Sequence, residues 1–231
     1  MGINLSGIII IVGNYGSGKT EVSVNLAANQ KRKGINVCVA DLDLVNPYFR
    51  TREAINSLSK LGVDVIAPEK QYLKADLPIL SPKVIRLIRQ PGQLAILDAG
   101  GDGVGSTVLA ALGDSLNNKK IRMLQVVNPF RPFTDTIDGC INIREQIEKA
   151  SNLTINGIIS NTNLIDQTTK QDIYKGYGFV KSYAVKLGLP LEFITASKKF
   201  MSAIRLNSFS CPVLPIERQL VPPWKNAEKF S

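Results

Sequence analysis

Hydrophobic positions along the chain fall into two kinds of segment that alternate. Residues 7–12, 36–40, 63–67, 94–97, 121–127, 154–160, 191–195 and 212–216 form short runs rich in Ile, Val and Leu. Runs of this length read as strands, and a β-branched one such as 7–12 as a strand buried on both faces of a parallel sheet. Between them the apolar residues recur at helical spacing. Residues 21–33 place Val24, Ala27 and Ala28 on one face and stop at Gly34; residues 53–61 carry Ala54, Leu58 and Leu61 and stop at Gly62. Ser81-Pro82 is a cap followed by proline at the first helical position, and Val84, Leu87 and Ile88 give that helix a stripe that ends at Pro91-Gly92. Residues 134–150 turn Ile137, Ile141 and Ile147 inward, and residues 166–187 align Ile173, Tyr177, Val180, Ala184 and Leu187, with Gly176 and Gly178 weakening the middle. Such alternation predicts a doubly wound, mainly parallel α/β sheet in a three-layer sandwich, with its ligand at the carboxyl ends of the strands. Neither an internal repeat nor a linker is apparent. The expectation is one domain over residues 1–231, with a core of about 7–217 and a tail, 218–231, that contains Pro222-Pro223-Trp224 and no amphipathic period.

The polar residues at the predicted strand ends carry the chemistry. The first run leads into Gly13-Asn14-Tyr15-Gly16-Ser17-Gly18-Lys19-Thr20, the GxxxxGK(S/T) pattern of a Walker A phosphate loop, with a strand before it and a helix after it. Its three glycines let the backbone turn so that successive N–H groups point at an anion, and the helix starting near Gly18 adds its dipole. Lys19 would reach the β- and γ-phosphates, and the Thr20 hydroxyl would ligate Mg²⁺. The second run ends in Asp41-Leu42-Asp43, where period-two alternation lets only one of the two acids face the loop. A later run ends in Asp98-Ala99-Gly100-Gly101-Asp102-Gly103-Val104-Gly105, which suits a Mg²⁺-facing carboxylate followed by a mobile switch loop. A carboxylate at the end of a buried strand is costly unless a cation or donors face it.

Composition narrows the setting. Over 231 residues the apolar share is 44% and the charged share 20%, ordinary for a globular domain. No apolar stretch reaches the roughly 18–20 residues of a membrane span, and residues 8–12 are too short for a secretory signal, so a cytoplasmic protein is expected. Cys38, Cys140 and Cys211 show no CxxC spacing and histidine is absent, which argues for core thiols and against a dedicated zinc or nickel site. The formal charge of +9 is scattered over Lys31-Arg32-Lys33, Lys119-Lys120, Lys198-Lys199 and single sites, as on solvated helix ends; nonspecific binding to nucleic acid or anionic lipid stays open.

Residues 13–20, Asp41-Leu42-Asp43, Asp98-Ala99-Gly100-Gly101 and Asn161 together resemble the MinD/ParA/CobQ-like proteins of the SIMIBI class of P-loop nucleotide-binding proteins, over about residues 7–217. The resemblance implies that Asp41–Asp43 is switch I and Asp98–Gly101 switch II. Asp43 would orient or deprotonate the attacking water and stand by the metal, and Asp98 would hold Mg²⁺ through its water shell. Gly101 would sense the γ-phosphate, Asp102 would be a second switch II carboxylate, and Asn161 and Pro215 would lie against the base. Because Asn161-Thr162-Asn163 lacks the NKxD aspartate that reads guanine, ATP is implied over GTP. Asn14 stands where relatives carry a lysine that reaches across a nucleotide-sandwich dimer, so a homodimer is left open. About Gly105 falls where the iron protein has its cluster cysteine, so no iron–sulfur cluster is implied.

These observations support three functional expectations. The first is a slow Mg²⁺-dependent ATPase acting as a switch whose loops are read by a protein client, with Tyr48, Phe49 and Arg50 as readers. The second is a small-molecule synthetase of the dethiobiotin synthetase or cobyrinic acid amidase kind, with residues 46–52 and 68–80 forming the pocket. The third is a ParA- or MinD-like positioning ATPase drawn to DNA or a membrane by the net charge; a metallochaperone ranks last.

Overall fold

The computed structural model describes residues 2–43, 51–68, 81–100, 103–116, 119–221 and 227–230. Eight strands, β1 (Gly7–Val12), β2 (Val37–Asp41), β3 (Asp64–Ile66), β4 (Leu94–Asp98), β5 (Ile121–Val127), β6 (Gly157–Ser160), β7 (Leu191–Ser197) and β8 (Val213–Ile216), form one sheet in the order β3-β2-β4-β1-β5-β6-β7-β8. Every neighbouring pair is parallel. The helices are α1 (Lys19–Arg32), α2 (Ile55–Lys60), α3 (Pro82–Arg89), α4 (Gly103–Ala111), α5 (Gly113–Leu116), α6 (Ile137–Ser151) and α7 (Lys170–Leu187). The expected α/β sandwich is thus the fold observed, with the sheet parallel throughout.

The central strand shows why the pattern reads as it does. β1 sends Ile8, Ile10 and Val12 to one face, into a cluster that also holds Val84 and Ile88 of α3, Val108 and Leu109 of α4, and Val180 and Tyr183 of α7. Its odd positions, Ile9 and Ile11, join Val22, Leu26 and Ala27 of α1 and Leu58 of α2 on the other. Because helices cover both faces, no position of β1 needs to be polar, and an unbroken apolar run results. The chain leaves β1 on one side to make β2 and β3 and returns through β4, which slots between β1 and β2, before β5 extends the other side. Such a reversal opens a crevice at the carboxyl ends of the central strands.

Two glycines in α7 act differently from the simple weakening that their propensity suggests. The helix runs unbroken to Leu187, opened by a capping box between Thr169 and Asp172 and closed by Gly188 in the left-handed region at φ 64°. A Cβ on Gly176 would lie 1.9 Å from Thr162 Oγ1, so α7 rests its backbone directly on the segment after β6. At Gly178, beyond the helix's own backbone, no atom of the described residues lies within 4 Å of such a Cβ.

Helix α4 is a second departure, since the glycines of residues 98–105 predict a loop and the chain turns helical at Gly103. A Cβ on Gly105 would be 2.5 Å from the Gly100 carbonyl oxygen, so this glycine serves close packing of α4 against the end of β4. Beyond β8 the chain lies along α1: the half-buried Glu21 carboxylate accepts the Gln219 and Leu220 N–H groups, and Asn25 Oδ1 accepts that of Glu217. Glu217 also holds Arg32 and Lys198 at 2.7 Å each. Burial pushes the Cys140 thiol up to about 12 and those of Cys38 and Cys211 to about 11, so all three are protonated at neutral pH. Among the described residues, no helix is long and apolar enough to cross a membrane.

Candidate nucleotide site

The loop between β1 and α1 has the backbone of an anion cradle. Gly13, Gly16 and Gly18 hold φ values of 145°, 70° and 88°, which bulkier residues rarely adopt. A Cβ on Gly13 would stand 2.4 Å from the Val126 carbonyl oxygen, so only glycine lets the loop leave the sheet there. The Asn14 carbonyl organises the turn, accepting from the Ser17 N–H at 3.2 Å and from Lys19 Nζ at 3.0 Å. The lysine is 7% exposed, and its ammonium is folded back over the loop rather than released to solvent. Ser17 is fully buried, with its Oγ unpartnered among the described residues.

Three neighbouring segments brace the cradle. The Asn161 amide, at the end of β6, donates to the Ser17 carbonyl at 2.7 Å while its Oδ1 accepts from Thr195 Oγ1 of β7 at 2.5 Å. Asn14 Nδ2 donates to the Pro132 carbonyl at 2.9 Å, tying the loop to the turn after β5. That turn is built on Asn128, whose Oδ1 accepts the Phe130 N–H and whose main-chain oxygen accepts from Thr134 Oγ1 at 2.8 Å. Tyr15 projects into solvent from the tip.

The acids gather beside α1. Asp98 is 1% exposed and faces Asp41 across the β2–β4 register. Its carboxylate accepts from Ser23 Oγ at 3.2 Å, from Thr51 Oγ1 at 2.8 Å and from the Thr20 side chain. Burial, and after it the charge of Asp41, pushes its pKa up to about 6, against the opposing pull of the Thr51 and Thr20 hydrogen bonds and the Lys19 charge. Asp43 N–H donates to Asp41 Oδ1, and the Asp43 carboxyl lies beside Gly100, 3.1 Å from where a Cβ there would stand. Of the residues expected to form the site, Lys19, Thr20, Asp43, Asp98 and the loop residues meet at this one edge of the sheet, with Asn161 behind the loop and Pro215 further along on β8. Gly101, Asp102, Tyr48, Phe49 and Arg50 lie outside the described residues, as does the 69–80 stretch of the expected pocket.

Thr51, Ser23, Thr195 and Asn128 emerge only from the structure. Ser23 had a legible signal, being one turn beyond Thr20 on α1; the others depend on which strands become neighbours. Among the described residues, no three His, Cys, Asp or Glu side chains form a metal-binding group by themselves. A buried acid with raised pKa, a second acid and a threonine hydroxyl do fit a cation that completes its shell with phosphate and water, as Mg²⁺ does.

A parallel sheet with a glycine loop between its first strand and first helix, and acids at the ends of the next strands, is the arrangement of a P-loop-type α/β fold. Among solved structures, the chain is similar to the cell division protein FtsY of Thermotoga maritima, with TM-score 0.60 and 19% identity over 84% of this chain and 63% of that one. It is similar also to the signal recognition particle 54 kDa protein of Aeropyrum pernix K1 in complex with GDP, with TM-score 0.54 and 18% identity over 84% and 42%. A third, FtsY from Elizabethkingia anophelis in complex with GDP, gives TM-score 0.53 and 16% identity over 84% and 58%. The chain therefore spans about three-fifths or less of the length of these neighbours, and the likeness is one of fold. No protein-family model matches the chain, and no curated protein matches it in sequence.

Proposed function

We propose that this chain is a Mg²⁺-dependent nucleotide-binding switch, a slow ATP hydrolase of MinD/ParA/CobQ-like type whose loop conformation is read by a protein partner. The observation that carries the reading is the Asp98 carboxylate, gripped at once by Thr20 and Ser23 of α1 and by Thr51 from the far side of switch I. Bound Mg²⁺ supplies charge neutralisation between phosphate oxygens. Thr20 would turn its hydroxyl from Asp98 to the metal, Asp98 would face the metal's water shell, and Thr51 would lose or change its acceptor. Occupancy of the cradle is thereby linked to the backbone that follows residues 44–50, the physical requirement of a switch. Lys19, Gly101 and the loop amides would hold the phosphates. Asp43 would position the attacking water, with Asp102 a further acid of switch II, and Asn161 and Pro215 would neighbour the base. The absence of an NKxD aspartate supports ATP; the two GDP-bound neighbours make GTP the necessary comparison.

Calorimetric titration with Mg·ATP and Mg·GTP tests the reading. Saturable heat with ATP is expected. Lys19→Ala should abolish it, while Asp43→Ala should keep binding and lose cleavage. Silence with both nucleotides in the parent protein would refute the proposal.

A further inference from the structure

We infer that Arg131 is a second cation of the phosphate cradle, supplied from within the chain and aimed at the outer phosphates of the bound nucleotide. The inference rests on the nucleotide reading above. A Cβ placed on Gly16 would lie 3.8 Å from Arg131 Nε and 3.9 Å from its Cδ, so the arginine passes directly over the tip of the loop. Its Nε is shielded from solvent and has no hydrogen-bond partner among the described residues. Ser17 Oγ, one residue further along the same turn, is in the same condition. Buried donors are nearly always satisfied in folded proteins, so two unsatisfied polar groups against one glycine turn call for a specific acceptor.

The segment carrying Arg131 is held firmly. Arg131 N–H donates to the Asn128 carbonyl at 3.1 Å, Thr134 Oγ1 closes the turn from the other side, and Asn14 Nδ2 bonds to the neighbouring Pro132 carbonyl. Phe133 sits in the left-handed region at φ 68°, a conformation that persists only where its surroundings impose it. The backbone that carries the side chain is thus fixed before any ligand arrives, which limits what must be ordered on binding. Gly16 itself is required by its φ of 70°, since a Cβ there would make only ordinary contact with the arginine.

Guanidinium presents a planar fork of donors that matches a phosphate, and it is always charged. The end of the nucleotide it serves follows from Lys19. Its ammonium rests on the Asn14 carbonyl, the atom that also closes the 14–17 turn through Ser17 N–H, and Gly16 belongs to that turn. A P-loop lysine reaches the β- and γ-phosphates, so an arginine above the same turn faces them as well.

The test compares the parent, Arg131→Gln and Arg131→Lys for binding of inorganic pyrophosphate, ADP and a non-hydrolysable ATP analogue with Mg²⁺, by calorimetry, alongside urea unfolding without ligand. Arg131→Gln should weaken the ATP analogue and pyrophosphate by roughly 10- to 100-fold, the worth of a charge-assisted contact. Arg131→Lys should fall between the two. The ligand-free unfolding midpoint of Arg131→Gln should stay level or rise, since a buried unpartnered Nε is removed. Unchanged affinities, or losses that track a lowered unfolding midpoint, would overturn the inference and leave Arg131 a structural residue. Parent protein that binds none of the three ligands would instead refute the nucleotide reading itself.

Discussion

Replacing Gly18 by alanine sets two separable costs against one side chain. Gly18 holds φ 88°, and an L-residue in that region loses about 1–2 kcal/mol. The new Cβ would also stand 2.2 Å from Asn161 Nδ2, a contact that cannot persist. An amide at the end of a mobile side chain would swing away cheaply, but Asn161 is 4% exposed and anchored at both atoms, through Ser17 and Thr195. Displacing it strands buried partners at about 1–3 kcal/mol. The sum for Gly18→Ala is on the order of 2–5 kcal/mol, and the share due to collision disappears once the amide is absent. In an Asn161→Ala background, Gly18→Ala should therefore cost only about 1–2 kcal/mol, leaving a coupling of about 1–3 kcal/mol between the two sites. Urea unfolding of the parent, both single variants and the double variant, without nucleotide, measures it. Costs that add to within about 0.5 kcal/mol would show that Asn161 does not brace the loop in the way described.

A paired test in α7 asks whether Gly176 is there for contact rather than freedom. Gly176→Ala should destabilise by ~1–3 kcal/mol or more because its Cβ meets Thr162, while Gly178→Ala, about half a turn away in open space, should stabilise by ~0.5–1 kcal/mol; equal effects in thermal unfolding would refute the distinction. Asp98 gives a pH signature in metal-free buffer. Its folded pKa of about 6 lies above the usual 3.8, so between these values the native state holds a proton that the unfolded chain has released. Stability should then fall as pH rises through that window, by up to ~3 kcal/mol, and Asp98→Asn should flatten the profile; parallel profiles would count against it. The Lys19 and Asp43 variants, and the Arg131 series, test ligand binding as set out above.

Much of this architecture could be read from residue order because its determinants are local. The run Ile8–Ile11 has no polar position, which only a strand covered on both faces tolerates, and the glycine loop announces its own geometry. The acids were legible as strand-end residues. Their roles divide only when β2 and β4 become neighbours: Asp41 then faces Asp98 in register, and Asp43 turns toward Gly100. Local reasoning failed where glycine stands for proximity. Gly105 reads as part of a loop and Gly176 as weakening its helix, yet each lies in a helix whose backbone presses on another segment, Gly105 on the end of β4 and Gly176 on Thr162. Thr51 and Thr195 were silent, since a lone threonine has no spacing to betray it.

Two of the four shielded polar atoms that lack a partner among the described residues stand at one edge of the sheet, beside the Asp41–Asp98 pair. Away from the carboxyl ends of the strands, β1 is flanked by two apolar clusters. At those ends stand a buried acid pressed against another, and two shielded polar groups, Ser17 Oγ and Arg131 Nε, without partners among the described residues; the other two such atoms, Gln30 Oε1 and Gln219 Oε1, belong to the far end of α1 and the segment after β8. Natural domains concentrate such costs where a ligand relieves them. The costs here have two signs. Asp98 and Asp41 call for a cation, whereas Ser17, Arg131 and the loop amides call for an anion, and only a short stretch of α1 separates the two demands. A lone cation or a lone anion would answer half of the arrangement. A metal-bound polyphosphate answers both, and it would draw Thr20 away from the acid to which Thr51 is bonded. Binding and loop rearrangement are consequently expected to have the same metal dependence, so withdrawal of Mg²⁺ should weaken triphosphate binding and erase any nucleotide-dependent protection of the backbone around Thr51 from hydrogen exchange. Protection that persisted without the metal would break the proposed link between the acid and the switch.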